Sequence, residues 1–121
     1  MKLDESNNLY TKSFAFAVRI VKFCKWINKT NREYILSKQL LKSGTSIGAN
    51  VAEANGGISK ADFSSKISIA YKESLETKYW LRLIKETMRI EEKMFDSLLQ
   101  DAEELSRILF SILKTTRIRP D

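Results

Sequence analysis

Between positions 95 and 112 the apolar residues Phe95, Leu98, Ala102, Leu105, Leu109 and Ile112 recur at alternating intervals of three and four. That rhythm places them on one stripe of an α-helix and on no single face of a strand. The spacing predicts a helix over 92–116. Acidic residues crowd its first half, and Arg107, Lys114 and Arg117 sit toward its end, as the helix dipole favours. The same rhythm runs through Phe63, Ile67, Ala70, Ser74, Thr77, Leu81, Ile84 and Met88, a seam with apolar ends and a polar middle, and predicts a helix over 59–88. Ser59 and Asp62, three residues apart, form the start signal of a capping box in which aspartate replaces glutamate.

Toward the N-terminus the pattern repeats twice more. Phe16, Ala17, Ile20, Cys24 and Ile27 gather on one face of a helix expected over 6–28, and Leu36, Leu40, Ile47, Val51 and Ala54 on one face of a helix expected over 32–55. Gly56-Gly57 supplies a C-terminal stop. With one proline and four glycines in 121 residues, the chain is poor in β-turn formers. Long helices with short loops therefore point to an all-α chain, an antiparallel up-down-up-down four-helix bundle in a single domain over 1–121. The tail Ile118-Arg119-Pro120-Asp121 is expected to end regular structure and fray. Phe14, Val18 and Trp26 on the first helix, and Ile69, Leu75, Tyr79, Trp80 and Leu83 on the third, fall off the inward faces. So much extra apolar surface favours association into a homo-oligomer.

The inventory of reactive groups is short. Histidine is absent, which removes the commonest general base and transition-metal ligand. Cys24 is the single cysteine; among Phe23, Trp26 and Ile27 it suits the role of a small core hydrophobe. No cofactor, metal or catalytic residue is expected, and the chain is read as a non-enzyme. It carries no apolar run of membrane-spanning or signal-peptide type, which points to a cytoplasmic protein without a membrane partner.

Two glycines within Lys42-Ser43-Gly44-Thr45-Ser46-Ile47-Gly48 each cost a helix roughly 1 kcal/mol relative to alanine. Either this segment is a loop, or it is helical, with Gly44 and Gly48 one turn apart on a flat strip where a neighbouring backbone approaches closely. Helical spacing of apolar residues on both sides favours the second. Three residues rather than four separate the glycines, and Ala49 follows, so the segment is no Walker loop.

Asn50 and Glu53 on the second helix could meet Glu73, Ser74, Glu76 and Thr77 of the third inside the bundle. Paired carboxylates can do acid–base work or bind a divalent ion, but bundle di-metal sites rely on Glu-x-x-His pairs that this chain cannot supply. A structural polar network or subunit interface built on Ser46, Asn50, Glu53, Glu73 and Glu76 is the favoured reading.

The net charge is +6. Its most directional element is Lys12, Arg19, Lys22, Lys25, Lys29 and Arg32, six basic residues with no acid between Ser6 and Arg32. Arg19, Lys22, Lys25 and Lys29 fall within about 120° of one another on a helix of about 100° per residue. A one-sign stripe suits contacts to an RNA or DNA backbone, while a solubilising surface is the plain alternative. No recognition helix, aromatic stacking platform or RNA-binding signature is legible.

Ser46-Ile47-Gly48-Ala49-Asn50-Val51-Ala52-Glu53-Ala54, followed by Ser59-Lys60-Ala61-Asp62-Phe63 and Tyr71-Lys72-Glu73-Ser74-Leu75-Glu76-Thr77, resembles the bundle proteins encoded by intervening sequences of bacterial 23S ribosomal RNA genes. The similarity covers nearly the whole chain. Ser46, Asn50, Glu53 and Glu76 match the family motif, whereas Ala54-Asn55 delays the glycine that many members place directly after the Ala-Glu pair. The resemblance implies a four-helix bundle in a ring-shaped homopentamer. It also implies kinship to the accessory variability proteins of diversity-generating retroelements, basic barrels that bind nucleic acid and a reverse transcriptase. Two functions follow as expectations: a non-catalytic oligomer that binds nucleic acid through basic faces, or a scaffold that binds an unidentified protein.

Overall fold

The computed structural model describes the backbone of residues 3–118 and the side chains of residues 8–116. The side chain of Arg117 and the tail beyond Ile118, where fraying is expected, lie outside the described residues. Four helices account for nearly all of the chain: α1 (Leu3–Asn31), α2 (Ile35–Asn55), α3 (Lys60–Thr87) and α4 (Glu92–Ile118). There is no strand among the described residues.

Each seam expected from periodicity faces inward. Phe16, Ile20, Cys24 and Ile27 of α1, Leu40, Ile47, Val51 and Ala54 of α2, Phe63, Ile67, Leu81 and Ile84 of α3, and Phe95, Leu98, Leu105 and Leu109 of α4 are all buried. Leu9 and Phe23 join them. The polar middle of the α3 seam, Ser74 and Thr77, is buried as well. Thr77 donates to Glu73 O at 2.7 Å. Ser74 shares a 2.8 Å hydrogen bond with Ser106 of α4, so these hydroxyls enter the core already satisfied.

The helices follow one another around the core in chain order. Gly44 of α2 meets Ile20 of α1, and Gly48 meets the earlier Ser13. Glu53 near the end of α2 pairs with Lys66 near the start of α3. From one end of the α3–α4 seam to the other, Ser64 faces Thr116, Lys78 faces Glu103 and Lys85 faces Asp96. The seam between α1 and α4 is closed by Phe23 against Phe95, an edge-on ring contact at 5.4 Å.

The ends of the helices have local causes. α1 runs to Asn31, three residues beyond the expected end, and stops where Arg32 takes a left-handed φ of 54°. α2 then starts at Ile35 because the Glu33 carboxylate accepts from Ile35 N at 3.1 Å and Leu36 N at 2.9 Å, covering two of the first free amides. Ser59 Oγ accepts from Asp62 N at 3.0 Å and starts α3. α2 runs unbroken through Gly44–Gly48.

A candidate nucleic-acid interface on the first helix

Six basic residues of α1 and its C-terminal end divide into two groups. Lys12 pairs with Glu104 at 2.8 Å, and Arg19 pairs with Asp101 while its second nitrogen donates to Ser97 at 3.0 Å. These two cations bridge α1 to α4. Lys22, Lys25, Lys29 and Arg32 are exposed, and none has an ion-pair partner among the described residues. The basic face is therefore shorter than the stripe of six, and it occupies the second half of α1. Lys22, Lys25 and Lys29 lie within about 60° of one another at about 100° per residue, spread over roughly 10 Å of axis. The acids that capture Lys12 and Arg19 come from α4, more than 80 positions away in sequence. Counting charges along α1 alone could not reveal them.

Residues expected to form a polar network do not come together inside the bundle. Ser46 donates to Lys42 O at 2.6 Å, and Asn50 Nδ2 donates to Ser46 O at 2.8 Å, both within α2. Glu53 is exposed and pairs with Lys66 at 2.8 Å. Glu76 is exposed and accepts from Trp80 Nε1 at 3.1 Å. Glu73 is half-buried, and desolvation, with Glu76 one turn away, pushes its carboxyl above the usual range against the opposing pull of Lys42. Helix geometry explains the difference: these residues lie beside the apolar stripes of α2 and α3, and the inward positions went to Ser74 and Thr77.

Gly44 and Gly48 form a flat strip against α1. A Cβ on Gly44 would sit 2.9 Å from Ile20 Cγ2, and one on Gly48 would sit 3.3 Å from the Ser13 carbonyl oxygen. Cys24 is buried beneath the same pair of helices, where its thiol donates to Ser37 O at 3.3 Å and burial pushes its pKa up to about 12. A thiol so placed is not a nucleophile at neutral pH. No group of three or more His, Cys, Asp or Glu among the described residues could hold a metal ion. No helix among them is long and apolar enough to cross a membrane.

An all-α chain of four helices whose buried hydroxyls are hydrogen-bonded, and whose first helix carries a cluster of exposed, unpaired cations, is a bundle protein with basic chemistry on its surface. The 23S rRNA-intervening sequence protein family matches residues 5–111, and the chain belongs to that family. A crystal structure of a protein of unknown function from the S23 ribosomal protein family of Bacteroides thetaiotaomicron VPI-5482 is similar throughout. It has a TM-score of 0.88 and 44% identity, and the match covers 91% of this chain and 98% of that one. No match was found among curated proteins.

Proposed function

We propose that this protein is a non-catalytic, up-down-up-down bundle that assembles into a homo-oligomeric ring of five subunits and binds nucleic acid backbone through α1. The observation that carries the binding is the exposed set Lys22, Lys25, Lys29 and Arg32, unpaired among the described residues in a structure where Lys12, Arg19, Lys66, Lys78 and Lys85 all have acidic partners. Unpaired cations on one face gain most from releasing counterions condensed on a phosphate chain. Assembly is supported by apolar residues left outside the core, among them Phe14 at 57% exposure and Tyr79 at 59%. Ser46, Asn50 and Glu53 lie beside the core, hydrogen-bonded within α2 or paired with Lys66, and a contact between subunits there would use their remaining hydrogen-bonding capacity.

Light scattering in physiological salt tests assembly, with about five times the 14.0 kDa chain mass expected and a monomer overturning it. Salt titrations of binding to generic RNA and to duplex DNA test the function. Affinity falling linearly with log salt is expected. Absence of binding to either near 50 mM salt would leave the scaffold reading, in which the charge serves solubility.

A further inference from the structure

Between Lys22 and Arg32 there is one large exposed side chain that is not a cation. Trp26 is 39% exposed, and its ring N–H has no hydrogen-bond partner among the described residues. Lys22 precedes it by four residues and Lys29 follows by three, the two spacings that make helix residues neighbours on one surface, and Lys25 is adjacent in sequence. The indole is not loose. Phe23 lies against it with ring centroids 6.2 Å apart and planes 30° apart, and the buried Phe23 is held edge-on by Phe95. The other tryptophan makes a contrast. Trp80 is half-buried, donates its ring N–H to Glu76 and packs on Tyr79 at 5.0 Å, beside carboxylates that repel phosphate.

We infer that Trp26 is a stacking residue for an unpaired base, so that the α1 face takes single-stranded nucleic acid in preference to duplex. This rests on the reading of α1 as a nucleic-acid surface and names the class of ligand it takes. An aromatic ring backed by Phe23 and flanked on one side by Lys22, Lys25 and Lys29 supplies the two parts that single-strand recognition needs: a platform for a base and charge for the neighbouring phosphates. In a duplex the base faces are already stacked on one another. A tryptophan on the convex surface of a long helix cannot reach them, and the lysines then act alone.

The test compares wild type with Trp26→Leu, which keeps an apolar contact to Phe23 and a good helix former, on single strands of about 16 nucleotides, the same sequence as duplex, and an abasic strand. Wild type in a Trp80→Phe background reports Trp26 emission alone, and quenching on adding the single strand is expected. Trp26→Leu should lose about 5- to 150-fold in affinity for the base-bearing single strand, the range one stacked base is worth. Its affinity for duplex and for the abasic strand, and its salt dependence, should match wild type. Wild type binding nucleic acid while Trp26→Leu binds every probe equally well would overturn the stacking role and leave the charged surface standing. Wild type binding nothing would overturn both. Equal losses on duplex and single strand, with a changed mass by light scattering, would make Trp26 a subunit contact and overturn the inference.

Discussion

Gly44 of α2 lies directly under Ile20 of α1, so close that an added Cβ would come within 2.9 Å of Ile20 Cγ2 and 3.0 Å of Cγ1. Both atoms belong to a fully buried, β-branched side chain with little rotameric freedom. Two opposing effects decide Gly44→Ala. Alanine gains about 1 kcal/mol in helix propensity, while overpacking costs typically about 1 to 3 kcal/mol. The contact wins, and the urea midpoint should fall, further still for Gly44→Leu. Gly56→Ala is the control: its nearest neighbour is Glu53 O at 3.7 Å, and its φ of −92° suits any residue. That variant should be as stable as wild type or slightly more so. Gly44→Ala matching Gly56→Ala would show that α1 and α2 separate at little cost.

Cys24 gives a second expectation. Its thiolate is suppressed by burial, with the pKa pushed up to about 12, and its thiol donates to Ser37 O. Alkylation by iodoacetamide near pH 8 should therefore be slow in the native protein and rapid once denaturant exposes the chain. The measured rate in native buffer should follow the free energy of opening. Fast stoichiometric labelling without denaturant would mean that the α1–α2 seam opens readily around Cys24.

A pH dependence follows from Lys78 and Glu103. Their ion pair at 3.0 Å joins α3 to α4, and the Lys78 side chain is only 13% exposed. The Lys78 hydrogen bond and charge, with smaller help from Arg107 and Arg82, hold the Glu103 carboxyl below its usual range. A carboxyl with a depressed pKa in the folded state contributes stability above its unfolded value, about 4.3, and loses it as pH falls through the folded value. Glu103→Gln should be less stable than wild type near pH 7, and the gap should close in acid, as urea midpoints at the two pH values would show. The Glu103 side chain is about half exposed, so solvent screening keeps the effect modest. Equal midpoints at neutral pH would remove Glu103 from the account of stability.

Periodicity made the inward faces legible because it depends only on local geometry: the α3 seam from Phe63 to Ile84 is buried at every position named from the sequence. Boundaries were legible where the signal is local, as at Ser59 and Asp62. They were less so at the α1–α2 junction, where Arg32 adopts a left-handed conformation and Glu33 caps from outside the helix. Charge was the least legible layer. Lys12 and Arg19 resemble Lys22 and Lys25 in sequence, and only the arrival of Glu104 and Asp101 from α4 separates them. Trp26 was visible as an apolar residue off the core arc. Its setting among lysines, with Phe23 behind it, requires the packed α1–α4 seam.

That separation sets the final expectation. Lys22, Lys25 and Lys29 can each meet a phosphate, whereas Lys12 and Arg19 are engaged with carboxylates and would have to give up those ion pairs first. Each phosphate contact steepens the fall of log affinity with log salt by about 0.9 for duplex DNA and about 0.7 for single strands. Lys22→Gln with Lys25→Gln should weaken binding alike across unrelated sequences and make the slope shallower by about one to two units per engaged subunit. Helix content should hold, because lysine and glutamine have similar helix propensity. Lys12→Gln should leave the slope unchanged, and its half-exposed ion pair to Glu104 carries at most about 1 kcal/mol of stability. A double variant that binds as tightly as wild type, or a Lys12→Gln variant that loses as much as the double, would remove the division of the stripe into structural and binding halves.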